Sequence, residues 1–180
     1  MNKSLRILFA AIIAVMLTSN AASASASATD DAKSFFSSAE VKFATNDFKG
    51  AIADYTKAIE LDPKYADAYN SRAAAKFSSG EKQGAIADFT KSIAINPKSA
   101  DTFTNRGSVK SDLGDNLGAT SDFSKAIEIN PSFVPAYLNR AALRLDSGDK
   151  QGATADLMQA AKLGNTDAQE WLKSNGITKW

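Results

Sequence analysis

Three prolines, Pro63, Pro97 and Pro131, stand 34 residues apart, and each closes a copy of one phrase. The copies read AIADYTKAIELDP, AIADFTKSIAINP and ATSDFSKAIEINP; a fourth, ATADLMQAAKLGN, brings Asn165 into the proline column. A fixed period of this size means one supersecondary unit stacked several times, each copy too small to bury its apolar face alone. Such stacks offer extended surfaces for contact more often than enclosed sites for chemistry.

Each copy predicts two amphipathic helices joined by a tight turn. The turn column holds Asn46, Gly80, Gly114 and Gly148, residue types that tolerate the left-handed conformation ending a helix. Asp47, Glu81, Asp115 and Asp149 follow, where a carboxylate can accept from the free amides of the next helix and suits its dipole. The first helices are expected at 31–45, 66–79, 100–113 and 134–147. The second helices, beginning near Gly50, Gly84, Gly118 and Gly152, are expected at 48–61, 82–95, 116–129 and 150–163 and end against the proline column. Pro135 falls in a first turn, where its missing amide does little harm. A ninth helix is expected at 167–174, opened by a capping box of Thr166 with Gln169 and closed by Gly176. Residues 29 and 30 are expected to be loose.

The same alignment gives the core. Phe35, Tyr69, Phe103 and Tyr137 recur in the first helices, and Tyr55, Phe89, Phe123 and Leu157 in the second. Small residues recur beside them, at Ala39, Ala73, Gly107 and Ala141 and at Ala51, Ala85, Ala119 and Ala153. Large against small lets a helix pair approach closely and fill space. With these columns in place, the pattern resembles the tetratricopeptide repeat, a helix–turn–helix unit of this length with small residues at the crossing and a late proline. The resemblance implies an all-α fold, an α-solenoid of stacked antiparallel helix pairs forming a superhelix, with repeats at 32–65, 66–99, 100–133 and 134–165. The family's usual Trp column holds Phe or Tyr here, and its Leu-Gly pair appears as Ser38-Ala39, Arg72-Ala73, Arg106-Gly107 and Arg140-Ala141. The segment AAKLGNTDAQEWL at 160–172 resembles the related Sel1-type repeat, and 166–180 is expected to be a capping helix and tail, with Ala168, Trp171 and Leu172 covering the last repeat.

Ahead of the repeats, Lys3 and Arg6 form a basic head, Ile7 to Leu17 an uncharged apolar run, and Ala21 to Ala28 a stretch of small residues. This is the layout of a signal peptide over 1–28, with cleavage after Ala24, Ala26 or Ala28. Eleven apolar residues are too few to span a bilayer, which needs about 20. The expected destination is outside the cytoplasm, a bacterial periplasm first, with secretion or an internal lumen as alternatives. Without Lys3 and Arg6 the chain carries 19 basic and 20 acidic residues, a balance that attracts neither nucleic acid nor an anionic membrane. Cys and His are absent, so stability rests on packing, and the usual zinc ligands and commonest general base are missing. No phosphate-cradling loop or activated-nucleophile spacing is present. The expectation is a non-enzyme that needs no cofactor or metal.

Arg72, Arg106 and Arg140 run beside Asp54, Asp88, Asp122 and Asp156, and Lys42, Lys76, Lys110 and Arg144 form a second basic column. An anion-binding stripe is one reading. A structural ladder is the better one, because guanidinium forms a rigid two-pronged contact with carboxylate and suits a partly buried joint. Each Arg can reach the Asp of its own repeat or of the preceding one. The first register leaves Asp54 without an Arg, the second leaves Asp156.

By the family resemblance, the inner faces of the first helices line a groove that receives peptides. That groove would include Phe36, Phe43, Asn70, Phe77, Asn105, Asp112, Leu138, Asn139 and Leu145, with Thr104, Ser108, Ser111 and Asp146 among their neighbours. Asn side chains can grip a peptide backbone through donor and acceptor together. Some family members clamp the C-terminal carboxylate of cytosolic heat-shock chaperones with Lys, Asn, Asn, Lys and Arg. Here those slots hold Phe36, Glu40, Ser71, Asp101 and Asn105, without one positive charge, so that partner is not expected. The chain is expected to be an exported scaffold binding another protein or peptide, as a monomer or weak homo-oligomer. The alternative is a self-assembling envelope protein, or a subunit of a larger secretion complex, motivated by Trp171 and the apolar tail Ile177–Trp180.

Overall fold

The computed structural model describes residues 29–180, and those residues are helices joined by short turns, with no strand among them. The signal-peptide reading of 1–28 lies outside the described residues. The chain divides into two units, one ending at Tyr65 and one running from Ala66 to Trp180.

The described part of the first unit is a helical hairpin, α1 over 29–44 and α2 at Phe48–Leu61. Residues 29 and 30 are already helical, against the expectation that they would be loose. Ala32 and Ala39 of α1 and Ala51, Tyr55 and Ala58 of α2 are buried at the hairpin's centre. Phe36 sits 5.6 Å from the Tyr55 ring and 5.0 Å from the Tyr65 ring, and Phe43 meets Phe48 edge-on at 5.6 Å.

The second unit contains α3 (Ala66–Ser78), α4 (Lys82–Ile95), α5 (Ala100–Asp112), α6 (Asn116–Ile129), α7 (Val134–Asp146), α8 (Lys150–Lys162) and α9 (Thr166–Ser174). Every helix packs on its neighbour in sequence. The first helices α3, α5 and α7 also touch one another in succession, whereas α4, α6 and α8 make no comparable contact. Within this unit the α3–α5–α7 side is therefore the tighter, inner side of a helical-repeat solenoid.

The turns explain the spacing. Asn46 (φ 61°) and Gly114 (φ 82°) occupy the left-handed region that ends the first helix of a repeat. Asp47, Asp115 and Asp149 then cap α2, α6 and α8 by accepting from the amides of Gly50, Gly118 and Gly152 at 2.9–3.0 Å. Glu81 departs from this expectation. It makes no side-chain cap to α4 and accepts from Ser79 Oγ at 3.1 Å instead, because its extra methylene carries the carboxylate past the amides it would have to meet. At the other end of each repeat, Asp62, Asn96 and Asn130 precede the prolines in non-helical geometry, and their side chains accept from the amides of Lys64, Lys98 and Ser132. Asx turns thus redirect the chain where proline has stopped the helix. The fourth copy lacks the proline, and Asn165 in that column caps α9 directly by accepting from Ala168 N at 2.8 Å. The expected Thr166–Gln169 box does not form; the Gln169 amide donates to the Ala161 carbonyl.

The small and large columns interlock. A Cβ placed on Gly107 would lie 2.7 Å from Phe123 Cε1, so α5 and α6 meet where glycine faces an aromatic edge. Phe89, Phe123 and Leu157 are buried, as are Phe103 and Tyr137, while Phe35 and Tyr69 are half-buried. At the C-terminal end Ala168 and Leu172 of α9 close a cluster with Tyr137, Leu157 and Ala161; Trp171, Ile177 and Trp180 pack against it.

Candidate functional site

Two arrangements of polar groups are built on this scaffold, one between first and second helices and one on the inner side of the second unit.

Between the helices, each Arg pairs with the Asp of its own repeat, sixteen residues on. Arg72 Nε and Nη2 donate to the two oxygens of Asp88, Arg106 to those of Asp122 and Arg140 to those of Asp156, all at 2.7–2.9 Å. The second basic column reaches the same carboxylates. Lys76 Nζ lies 2.8 Å from Asp88, Lys110 Nζ 2.8 Å from Asp122, and Arg144 Nη1 2.6 Å from Asp156. The four Asp side chains are buried, so each carboxylate is balanced where water is scarce. The ladder also reaches the preceding repeat: Arg106 Nη1 donates to Thr90 Oγ1 at 3.1 Å, and Arg140 Nη1 to Ser124 Oγ at 2.9 Å. The guanidinium of Arg106 lies over the Phe103 ring and that of Arg72 over the Tyr69 ring. The ladder therefore joins helices within a repeat and repeats to each other. Asp54 is the rung without Arg. It accepts from Ser38 Oγ at 2.7 Å and from Lys42 Nζ, and these bonds, Lys42's foremost, hold its carboxyl below the usual range against the opposing effect of burial.

On the inner side, residues of α3, α5, α6 and α7 enclose a depression of about 330 Å³. Phe77, Phe123 and Leu143 give it apolar walls, Ser108, Ser111 and Asn139 supply hydroxyls and an amide, and Asp112 and Asp146 supply carboxylates. A second depression of about 150 Å³ shares Phe77 and Ser108 with it and adds Asn105 and Phe89. Asn139 Nδ2 donates to Ser108 Oγ at 3.2 Å across α7 and α5, and Asn105 Nδ2 to Asp101 Oδ2 at 3.1 Å.

Of the residues expected to line a groove, Phe77, Asn105, Asp112 and Asn139 come together here, with Ser108, Ser111 and Asp146 beside them. Asn70 is half-buried, with its Oδ1 enclosed and without a donor among the described residues. Leu138 packs against the C-terminal cluster, and Leu145, about a third exposed, lines neither depression. Phe36 and Phe43 sit in the aromatic contacts of the first unit. Thr104 is a correction: it is buried and donates to the Ala100 carbonyl, so it offers nothing to a partner. Sequence reasoning missed the walls from Phe123 and Leu143, residues already assigned to the core or to no site. It also missed Leu113 and Leu117, two exposed leucines at the α5–α6 turn, in columns that are polar in the other repeats.

Among the described residues no group of acidic side chains could hold a metal ion, and no helix is long and apolar enough to cross a membrane.

Comparison with known proteins places these features in a family. A tetratricopeptide-repeat model matches residues 66–99 and 100–133, and a second model described as a TPR repeat matches residues 39–80. No curated protein sequence matches the chain. Among solved structures, the crystal structure of MamA is 25% identical, with 81% of each chain covered and a TM-score of 0.71. The Arabidopsis OM64 TPR domain is 25% identical over 66% of this chain and 98% of its own, with a TM-score of 0.64. The first TPR domain of Spaghetti, bound to an HSP90 peptide, is 21% identical over 67% of this chain and 95% of its own, with a TM-score of 0.65.

Proposed function

We propose, from the premise that this chain is built of tetratricopeptide repeats, that it is an exported scaffold which holds an extended segment of another protein on the α3–α5–α7 face. The role as a protein-interaction scaffold follows from the repeats and their structural neighbours. What supports the finer reading is one observation: the strip from Phe77 to Asn139 combines an apolar hollow with amides and hydroxyls that can both donate and accept. An extended backbone needs that pairing, and an apolar side chain needs the hollow. The mechanism is passive. A preformed strip loses little conformational freedom on binding and needs no cofactor.

Export rests on the first 28 residues, with their basic head, apolar run and small-residue stretch. The periplasm is the first compartment to examine. A heat-shock carboxylate clamp is not proposed, although the Spaghetti domain carries an HSP90 peptide. Asp101 and Asn105, which hold two of its slots, bond to each other and carry no positive charge. The apolar tail that suggested self-assembly packs against this chain's own terminal cluster.

Capture from an envelope extract tests the reading. Wild-type bait and bait carrying Asn105→Ala with Asn139→Ala are compared, and the variant is expected to lose the captured protein while keeping its helical spectrum. Equal capture by both baits would move the site to the outer face or the tail.

A further inference from the structure

We propose that the segment held on the α3–α5–α7 face is cationic: it seats one bulky apolar side chain in the larger depression and sets Lys or Arg against the rim. This inference rests on the groove reading above and adds the chemistry of the occupant.

The hollow is sized for side chains, since a helix with its side chains is about 10–12 Å across. Its walls are Phe77, Phe123 and Leu143. Both ionic residues lining it are carboxylates, Asp112 and Asp146, and no Lys or Arg lines either depression. The ladder is the reason. Each basic residue of α3, α5 and α7 is bound to Asp88, Asp122 or Asp156 on a second helix. Each such triad keeps one positive charge, but its cationic side chains are only 14–28% exposed and their charged ends are fixed against α4, α6 and α8. The acids of the same three helices are treated differently. Asp67, Asp101, Asp112 and Asp146 are exposed, and among the described residues only Asp112 has an ion-pair partner, Lys82 at the start of α4. An approaching chain therefore meets carboxylates, hydroxyls and amides, and the cation beside them, Lys82, is already bound to Asp112. Opposite charge at the rim selects the partner, and the hollow and amides anchor it.

A selection of random dodecapeptides displayed on phage tests this on the full chain. It is run in parallel on Ala142→Trp, a neutral plug at an exposed position lining the hollow, checked by circular dichroism for unchanged helix content. Peptides that bind wild type and not the plugged chain are groove-dependent. These are expected to be enriched in Lys and Arg near a bulky apolar residue. Asp112→Asn and Asp146→Asn are each expected to weaken them about two- to fivefold, the scale of an exposed ion pair. Groove-dependent peptides that are neutral or acidic, or whose affinity ignores both Asp→Asn changes, would overturn the cationic assignment and leave the groove reading standing. Recovery of no groove-dependent peptide at all would overturn both.

Discussion

Asp54 in the first unit and Asp122 in the second occupy the same column of the repeat, yet they are balanced differently. Asp122 takes both prongs of Arg106 and the ammonium of Lys110. Asp54 takes Lys42 and the hydroxyl of Ser38, the residue that stands in the Arg column. A buried carboxylate within one hairpin is thus satisfied by hydrogen bonds from one cation and one neutral donor, with a second cation, Lys57, 3.9 Å away. The guanidinium does something more: the arm of Arg106 left over from Asp122 reaches Thr90 on the preceding repeat. The difference separates two tasks of the ladder, neutralising a buried charge and stitching repeats together.

The largest effect should come from removing the carboxylate where two cations depend on it. Asp122→Leu leaves Arg106 and Lys110 partly buried and uncompensated, and should cost about 3–5 kcal/mol in denaturant unfolding. Asp54→Leu should cost clearly less, because its Lys42 is 38% exposed and can turn to water. Equal losses would break the comparison. Arg106→Leu comes next, at about 1–2 kcal/mol, since Lys110 still balances Asp122 while the two-pronged contact is gone. Thr90→Val isolates the stitch. It removes the acceptor for the third arm of Arg106, together with the hydroxyl's own bond to the Ile86 carbonyl within α4, and should cost about 0.5–1 kcal/mol. No change there would assign the whole value of Arg106 to its own repeat.

The smallest effects sharpen the local rules. Glu81→Asp should stabilise the chain by about 0.5–1 kcal/mol, because Asp at this column caps the other second helices and Gly84 leaves it room. In acid, the lowered carboxyl of Asp54 fixes a sign. Its contribution is complete above the unfolded value, near 3.9, and is lost as pH falls through the lower folded value. Difference melting of wild type against Asp54→Asn should therefore converge only below about pH 4. Convergence near neutrality would contradict the assignment.

Much of the fold was legible because the period repeats every constraint. Helix limits followed from Asn46 or glycine at one end and proline at the other, and the core followed from columns such as Tyr55, Phe89 and Phe123. What escaped was whatever differs between copies. Glu81 stands among aspartates, yet one methylene removes the cap. Asn165 sits where proline would be and starts the last helix one residue before the expected box. The register of the ladder was ambiguous in sequence, because Arg106 stands about half a repeat from both Asp88 and Asp122; packing of α5 on α6 selected Asp122. In the groove, Phe77, Asn105, Asp112 and Asn139 were readable from their columns. Phe123 and Leu143 were not, since a core residue that also walls a hollow has no separate sequence signal, and Leu138 was drawn into the cap by its neighbours.

The central claim is that the α3–α5–α7 side receives a partner segment while the ladder holds the stack from behind. Titrating isotope-labelled protein with a captured segment, and following its amide resonances, tests this directly. The account predicts shifts concentrated at Phe77, Asn105, Ser108 and Asn139, including the side-chain amides of both asparagines. Shifts concentrated on α4, α6 and α8, or at Leu113 and Leu117, would contradict it.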